Sequence, residues 1–275
     1  MLLAMSLSAA AMAAAPVVSG DGQLRTQRVP LEAVGFAHAV EERPAMGPEL
    51  YAAGPAGVAA LYDPVRREVV LVADGAAPER LSVGRLDDVA FAGDALLLLD
   101  ESGRLLTLMS ASGEVLDVLP LPGLVPPGCR LAVDGAEVRA RDVFGNLHRL
   151  AEVTGQGLSE GAGPALVENP SPIQWDAEAR VMRFDGGELA LTDALKAGGQ
   201  WLDGARGWLV VDAVVGDMPL VVERRALRAD GSMSVTVPLA QGAWAPGRDA
   251  AVSPDGTLLL LLPGDDAFSI GRISP

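Results

Sequence analysis

The sequence is poor in the residues that build most metal sites and activated nucleophiles. Its 275 residues contain one cysteine, Cys129, and two histidines, His38 and His148. A single cysteine excludes an intrachain disulfide and a cysteine-based zinc cluster, and we expect its thiol to be buried and inert. The two histidines exclude a histidine-rich metal site, and neither H-E-x-x-H nor G-x-S-x-G occurs. The usual zinc-peptidase and serine-hydrolase patterns are therefore absent.

Positive charge is also scarce. The chain has 21 Lys and Arg against 36 Asp and Glu, a formal net charge of −15, and Lys196 is its single lysine. Nucleic-acid binding needs Lys and Arg to displace counterions from phosphates, and anionic membrane surfaces attract the same residues. The balance predicts a solvated acidic surface and excludes both of these partner classes.

Long apolar runs are missing beyond the N-terminus. Residues 1–15, MLLAMSLSAAAMAAA, are apolar and end in small residues with A-x-A patterns, which is typical of a secretory signal peptide, although no Lys or Arg precedes the apolar stretch. We expect cleavage after Ala13 or Ala14, because Pro16 disfavours cleavage after Ala15. The stretch is too short to span a bilayer. The sequence thus predicts an exported chain, periplasmic or extracellular, with residues 16–275 forming one domain.

What the sequence does contain is a repeat. Six segments share the order strand, turn with Asp, Gly or Pro, strand, and they recur on average about every 40 residues. The clearest unit, from Asp87 to Pro120, reads as four strands joined by tight turns. Four short strands at this period are the signature of a β-propeller blade. Runs such as TLLLLL, from Thr257, fit the second strand of a blade, which is buried on both faces.

We therefore predict an all-β fold, a β-propeller of about six four-stranded blades, with five or seven left open by two irregular regions. The segment from Thr154 is rich in Gly and Pro and is expected to form a loop, and the segment from Thr192 could hold a helical turn. The last unit has three strands, and GQLRTQRVPL from Gly22 is an unassigned strand. Pairing of this N-terminal strand with the last blade would close the ring and remove an edge.

The motif AVSPDGTLLLLL, from Ala251, resembles the repeat of TolB-like and WD40-like bacterial propellers, in which S-P-D-G makes the turn between the first two strands. The spacing strand-Asp-x-x-Gly-strand is also similar to NHL-type propellers. S-P-D-G occurs once, at Ser253–Gly256, and the Trp-Asp signature of eukaryotic WD40 repeats is absent. The resemblance covers architecture across most of the chain, and fold alone does not decide function.

Aspartates recur at the end of the second strand of successive units. We expect them to share one face, the end of the ring that also carries the connections between blades. Each could simply accept hydrogen bonds from the amides of its own turn. Alternatively, the set could bind Ca²⁺ or a cationic partner, although no EF-hand-type loop occurs. The candidate residues are Asp63, Asp100, Asp142, Asp185 and Asp212.

Tryptophans cluster in the second half of the chain, where they could pack between blades or form an aromatic platform for a sugar or peptide. Trp201 and Trp244 are the candidates for exposure in upper-face loops, because each is expected to precede the first strand of a blade.

Two functions follow from these patterns. The first is an exported, non-catalytic propeller that binds another protein or acts as a scaffold, with no cofactor. The alternative is a propeller hydrolase or lyase that acts on sugars or lactones through upper-face carboxylates. No catalytic residue can be named from the sequence, since any pair drawn from 36 acidic residues would be arbitrary.

Overall fold

The structure, a computed structural model, describes residues 17–19, 23–35, 45–123, 125–142, 146–161, 173–184, 187–202, 207–216, 220–228, 231–239, 246–264 and 266–274. These ranges are almost entirely β-strand, with two 3-10 turns at Leu31–Ala33 and Pro55–Gly57. No helix within them is long and apolar enough to cross a membrane. The strands form six antiparallel sheets, which confirms the predicted all-β propeller of six blades.

The chain begins with β1 (Val17–Ser19) and β2 (Leu24–Pro30). Blade 1 consists of β3 (Glu49–Ala53), β4 (Ala59–Asp63), β5 (Glu68–Val72) and β6 (Glu79–Ser82). Blade 2 consists of β7 (Leu86–Ala92), β8 (Ala95–Asp100), β9 (Leu105–Met109) and β10 (Val115–Pro120). Blade 3 consists of β11 (Arg130–Asp134), β12 (Glu137–Arg141), β13 (Leu147–Thr154) and β14 (Gly157–Glu160).

Blade 4 has three strands, β15 (Gln174–Asp176), β16 (Val181–Phe184) and β17 (Gly187–Ala190). Blade 5 consists of β18 (Ala194–Leu202), β19 (Trp208–Val215), β20 (Val221–Arg228) and β21 (Ser234–Leu239), with β1 as a fifth, outermost strand. Blade 6 consists of β22 (Ala250–Val252), β23 (Leu258–Pro263) and β24 (Ala267–Ile273), followed by β2.

The second strand of each blade explains the apolar runs in the sequence. Leu96–Leu99 on β8 and Leu258–Leu261 on β23 are buried without interruption, because neighbouring blades cover both faces of the strand. The large apolar clusters accordingly lie between adjacent blades. Each fully buried leucine contributes roughly 1.5–3 kcal/mol of transfer free energy, so the contacts between blades dominate the stability of the ring.

The N-terminal strand completes the last blade as the sequence predicted. β2 pairs antiparallel with β24 from Leu24↔Ile273 to Pro30↔Ala267. Around the central axis, the first strand of blade 1, β3, contacts the first strands of blades 6 and 2, β22 and β7. The N-terminal strand β2 therefore covers the outer edge of β24, which would otherwise be unpaired.

Two local expectations were wrong. The segment from Thr192 is the long inner strand β18 rather than a helical turn, and Gly157–Glu160 within the expected loop is strand β14. Both segments gain ladder hydrogen bonds to a neighbouring strand, which outweigh their poor strand propensity. Blade 4 departs from four strands because three residues, Leu191–Asp193, separate β17 from β18. This connection is too short to contain an outer strand.

Candidate functional site

We use the term upper face for the end of the ring at which the first strand of each blade begins and the second strand ends. Asp63 and Asp100 are the last residues of β4 and β8, and Asp142 follows β12 directly. These three aspartates therefore share the upper face, as predicted. Their side chains are not directed to a common point, because each is held by its own turn.

Asp63 is fully buried and joins the turn after β4 in blade 1 to the connection that follows β2. Its Oδ1 accepts hydrogen bonds from the amides of Val65 and Arg66, both at 3.0 Å, and its Oδ2 accepts one from the amide of Gly35. A Cβ on Gly35 would lie 2.6 Å from Asp63 Oδ1, so the approach requires glycine. Asp63 thus closes a turn and fixes the connection that follows β2.

Asp100 and Asp142 act in the same way. Asp100 Oδ1 accepts from the amides of Arg104 and Leu105 at 2.8 and 2.7 Å. Burial works against the charge of Asp100, but these bonds and those from Ser102 lower its pKa overall. Asp142 accepts from the amide of Asn146 at 2.9 Å and lies 3.0 Å from Nε2 of His148. These carboxylates are engaged in their turns.

Asp212 differs from Asp63, Asp100 and Asp142 because it lies in the middle of a strand, β19, and not beside a turn. Arg224, opposite it on β20, forms two hydrogen bonds of 2.7 Å with its carboxylate and a further bond with Asp249. Burial disfavours the charge of Arg224, but the two carboxylates outweigh this effect and raise its pKa. Burial raises the pKa of Asp249 even though Arg224 lies beside it.

The remaining candidates do not form a visible site. Asp185 and Trp244 lie outside the described residues. Trp201 was expected in an upper-face loop, but it is the penultimate residue of β18 and pairs with Leu209 at the lower end of the blade. The reason is that the first strand of blade 5, β18, runs from Ala194 to Leu202, so Trp201 lies near its end and not before it. Trp208 is fully buried, and its Nε1 donates to the carbonyl of Gly256 at 3.1 Å.

A second group of charged residues converges on the central axis at the upper face. Its members lie at or just before the starts of first strands, together with the Asp212–Arg224 pair, and we call it the mouth cluster. It comprises Glu49, Tyr51, Asp88, Arg130, Asp212, Arg224, Arg248 and Asp249.

Arg248, just before β22 in blade 6, reaches across the axis to other blades. Its Nη1 donates to Asp88 Oδ1 on β7, and its Nη2 lies 3.2 Å from the carbonyl of Asp87 and 3.4 Å from that of Cys129. Its guanidinium carbon stands 4.2 Å from the ring centroid of Tyr51 on β3, a cation–π contact. One side chain thus joins blade 6 to blades 1, 2 and 3.

Asp88 is 2% exposed and accepts a second hydrogen bond at Oδ2 from the amide of Leu131 on β11. Burial raises the pKa of Asp88 to about 6, although Arg248 and the amide bond act in the opposite direction. A bulge at Asp87 places the Asp88 side chain in this buried position, because the register of β7 against β8 shifts between Leu86 and Asp88. Bulges of this kind re-aim side chains near functional sites.

Arg130 is the first residue of β11 and remains exposed in the mouth. Among the described residues, no hydrogen bond or ion pair engages its guanidinium. Partial removal of water by the surrounding protein, with the positive charge of Arg248 nearby, lowers its pKa. Glu49 of β3 accepts a hydrogen bond of 3.3 Å from the amide of Gly247. The mouth therefore carries both signs of charge within one polar surface.

The described part of the chain holds no group of three or more His, Cys, Asp or Glu residues arranged for a metal ion. Binding of Ca²⁺ at the upper face, with Asp185 outside the described residues, stays a prediction. A hydrolase or lyase would need carboxylates able to exchange protons with a substrate. Burial raises the pKa of Asp88 to about 6, in the range of a general acid, but its carboxylate is buried and bonded to Arg248 and to the amide of Leu131.

Sequence reasoning missed Asp88, Arg130 and Arg248 because they lie in three blades with no fixed spacing between them. A usable signal existed, since each stands at the start of a short first strand, in DDVAF, CRLAV and GRDAAV. First strands begin at the axis on the upper face, so charged residues at that position meet one another in space.

Comparison with known proteins adds little. No family model matches the sequence, and no curated protein does. Among solved structures, the chain is similar to a streptogramin B lyase, with 10% identity over 91% of this chain and 98% of that one and a TM-score of 0.47. It is also similar to virginiamycin B lyase from Staphylococcus aureus, with 10% identity, 92% and 100% coverage and a TM-score of 0.48. The N-terminal domain of Nup159 matches with 10% identity, 94% and 97% coverage and a TM-score of 0.38.

Proposed function

We propose that the protein is an exported, non-catalytic propeller that binds another protein through its upper face, in the periplasm or at the cell surface. The observation that carries this proposal is an exposed apolar tip on blade 5. We call tip patch the four side chains Leu195, Leu220, Val221 and Val222, which are 52%, 51%, 40% and 38% exposed.

The tip patch follows from the length of the strands in blade 5. β19 and β20 have eight residues each, whereas the second and third strands of blade 1 have five, so this hairpin is longer at the upper face. Successive residues of a strand point to opposite faces, and both Val221 and Val222 are exposed. The end of β20 is therefore exposed on both faces, whereas Val215, opposite Val221 on β19, is buried. Exposed apolar side chains grouped at one end of a blade and rimmed by polar residues are typical of protein-interaction surfaces.

The residues around the tip patch are charged and form ion pairs with one another. Arg225 on β20 forms ion pairs with Asp193 and Glu223, the latter at 2.9 Å. An apolar centre within a polar rim is the usual composition of a non-obligate protein interface. The carboxylates of Asp63, Asp100 and Asp142 are used in turns, which leaves the tip patch as the upper-face surface best suited to contact a partner.

The binding test is a pull-down from periplasmic extract with covalent cross-linking and mass spectrometry. Val222→Asp places a charge at the centre of the tip patch, and we expect it to abolish recovery of the cross-linked partner. Val118→Asp is the matched control, since Val118 is 45% exposed on the outer strand of blade 2. A partner recovered equally with both variants, or no partner recovered by the native protein, would contradict the proposal.

Export has its own test. We expect N-terminal sequencing of the native protein from the periplasm to find cleavage after Ala13 or Ala14. Because β1 begins at Val17, such cleavage leaves both N-terminal strands in the ring. A chain that keeps residue 1 and stays with the cytoplasmic fraction would refute export without touching the binding proposal.

A further inference from the structure

The entry to blade 3 is held from outside its own sheet. Two carboxylates of blade 2 accept hydrogen bonds from the start of blade 3: Asp87 Oδ1 from the amide of Gly128 at 3.0 Å, and Asp88 Oδ2 from the amide of Leu131. Arg248 Nη2 of blade 6 donates a hydrogen bond to the carbonyl of Cys129. Three of the four residues from Gly128 to Leu131 are thus tied to blade 2 or blade 6. Blade 6 lies three places from blade 3 in a ring of six, so the tie from Arg248 crosses the axis.

Arg248 is itself fixed at both ends. Its backbone carbonyl accepts the amide of Leu50 at 2.8 Å, and its side chain, 12% exposed, lies against Tyr51 before it reaches Asp88. The ion pair is almost completely shielded from water. A buried arginine that has lost its partner carboxylate strongly destabilises the structure around it. The position of the Arg248 side chain therefore depends on the charge of Asp88.

We propose that the Arg248–Asp88 pair is an acid-sensitive latch that holds the start of blade 3 across the upper mouth and releases it when the surroundings become mildly acidic. The latch does not depend on the proposed binding function. On protonation Asp88 keeps its place as a neutral acid, the ion pair is lost, and Arg248 is free to move into the solvated mouth beside Arg130.

The titration range suits such a latch. The pKa of Asp88, raised to about 6 by burial, leaves the group ionised at pH 7.5 and protonated at pH 5. The groups that face it from the packed elements are Arg248, Arg130, Tyr51 and Cys129. Both arginines stay charged in this range. Burial raises the pKa of Tyr51 and takes the pKa of Cys129 to about 11, so neither of these groups titrates there.

The fold should survive the opening. A carboxyl whose folded pKa lies above its unfolded value binds its proton more tightly in the folded state. Protonation of Asp88 between pH 6 and about 4 therefore does not lower the free energy of unfolding. The latch consequently opens as a local event at one blade and leaves the ring intact.

Cys129 supplies a single-site readout, because it is the only cysteine of the chain and is fully buried beside the latch. The experiment measures its labelling by 4,4′-dithiodipyridine, which reacts with thiols at acidic pH, relative to the urea-unfolded chain at the same pH. We expect the relative rate to rise about tenfold from pH 7.5 to pH 5, the scale set by losing hydrogen bonds to charged groups. A relative rate that does not change with pH overturns the proposal.

Two variants test the assignment. Asp88→Asn mimics the protonated acid, and we expect it to show the high labelling rate at both pH values. Asp176→Asn is the matched control, because it removes an Arg–Asp ion pair with Arg183 at the lower end of blade 4, away from the mouth, and should respond to pH as the native protein does. A pH response that persists in Asp88→Asn overturns the latch.

Hydrogen exchange of the native chain keeps the proposal testable if Asp88→Asn fails to fold. After correction for intrinsic rates, we expect exchange at residues 128–131 to increase from pH 7.5 to pH 5 while Leu96–Leu99 on the buried strand β8 stay protected. Equal increases in both segments, or none in either, would overturn the latch.

Discussion

At the residue scale, Asp63, Asp100 and Asp142 each accept hydrogen bonds from the amides of their own turns. A side-chain carboxylate that accepts amide hydrogen bonds replaces the partners that a tight turn cannot supply from the backbone. Asp100 is the clearest example, since it accepts from the amides of Ser102, Arg104 and Leu105. Asp212 is the exception, because a facing arginine on the next strand engages it.

We expect Asp100→Ala to lower the free energy of unfolding by about 1–2 kcal/mol at pH 7, because three amides lose their acceptor. The pKa of Asp100 is lowered in the fold, so this contribution exists above the unfolded pKa and disappears as pH falls through the folded one. Urea denaturation at pH 7 and near pH 2 measures the difference. Asp94→Ala is the control, since Asp94 is exposed in the same blade. Equal effects of the two substitutions would show that the turn bonds contribute nothing.

At the scale of elements, the connections that lie on a blade matter as much as its strands. After β10 the chain returns over the hairpin of blade 2, and the amide of Val125 donates to the carbonyl of Gly103 at 3.0 Å. Gly103 has a φ of +64°, and a Cβ there would lie 2.3 Å from the carbonyl oxygen of Val125. Val125 is buried in the cluster between blades 2 and 3, so it cannot move away freely.

Gly103→Ala should therefore destabilise the protein through both strain and collision. The left-handed conformation costs about 1–2 kcal/mol for a residue with a side chain, and the collision adds to it. Gly93→Ala separates the two effects, because Gly93 has a φ of +60° with nothing within 4 Å of the added Cβ. Thermal unfolding of both variants is the measurement. A Gly103→Ala loss no greater than that of Gly93→Ala would exclude the collision.

At the scale of the whole molecule, ring closure rests on a buried arginine as well as on strand pairing. Arg272 on β24 is 5% exposed and has no ion-pair partner among the described residues. Its guanidinium donates to the carbonyls of Gly57 and Val72 in blade 1, at 3.0 and 2.7 Å, and to Gln27 of β2 at 3.1 Å. One side chain joins blade 6, blade 1 and the N-terminal strand.

We expect Arg272→Lys to cost about 1–3 kcal/mol, because an ammonium group cannot reach all three acceptors and leaves buried carbonyls unpaired. Arg28→Lys is the control, since Arg28 is on the same seam but pairs with Asp266 at the surface, where both side chains are largely exposed. Calorimetric unfolding compares the two. If both variants unfolded at the same temperature as the native protein, Arg272 would have no role in closing the ring.

The repeat made the architecture predictable, since periodicity and apolar runs are local properties of the sequence. Six blades and the pairing of β2 with β24 followed from them. The mouth cluster did not, because Asp88, Arg130 and Arg248 meet only through closure of the ring, and Asp88 and Arg248 are 160 residues apart in the sequence. β18 was also missed in part, because glycines at 198 and 199 disfavour a strand locally while pairing with β19 imposes one.

The pairing of β2 with β24 also sets an order for biosynthesis. β2 ends at Pro30 and its partner β24 begins at Ala267, so 236 residues, 31–266, are translated between the two strands. At about 5–20 residues per second, the first strand waits tens of seconds for the last one. Blades 1 to 5 emerge as an open arc whose terminal faces are uncovered. β2 therefore remains without its partner until blades 1 to 5 and the first strands of blade 6 have been translated.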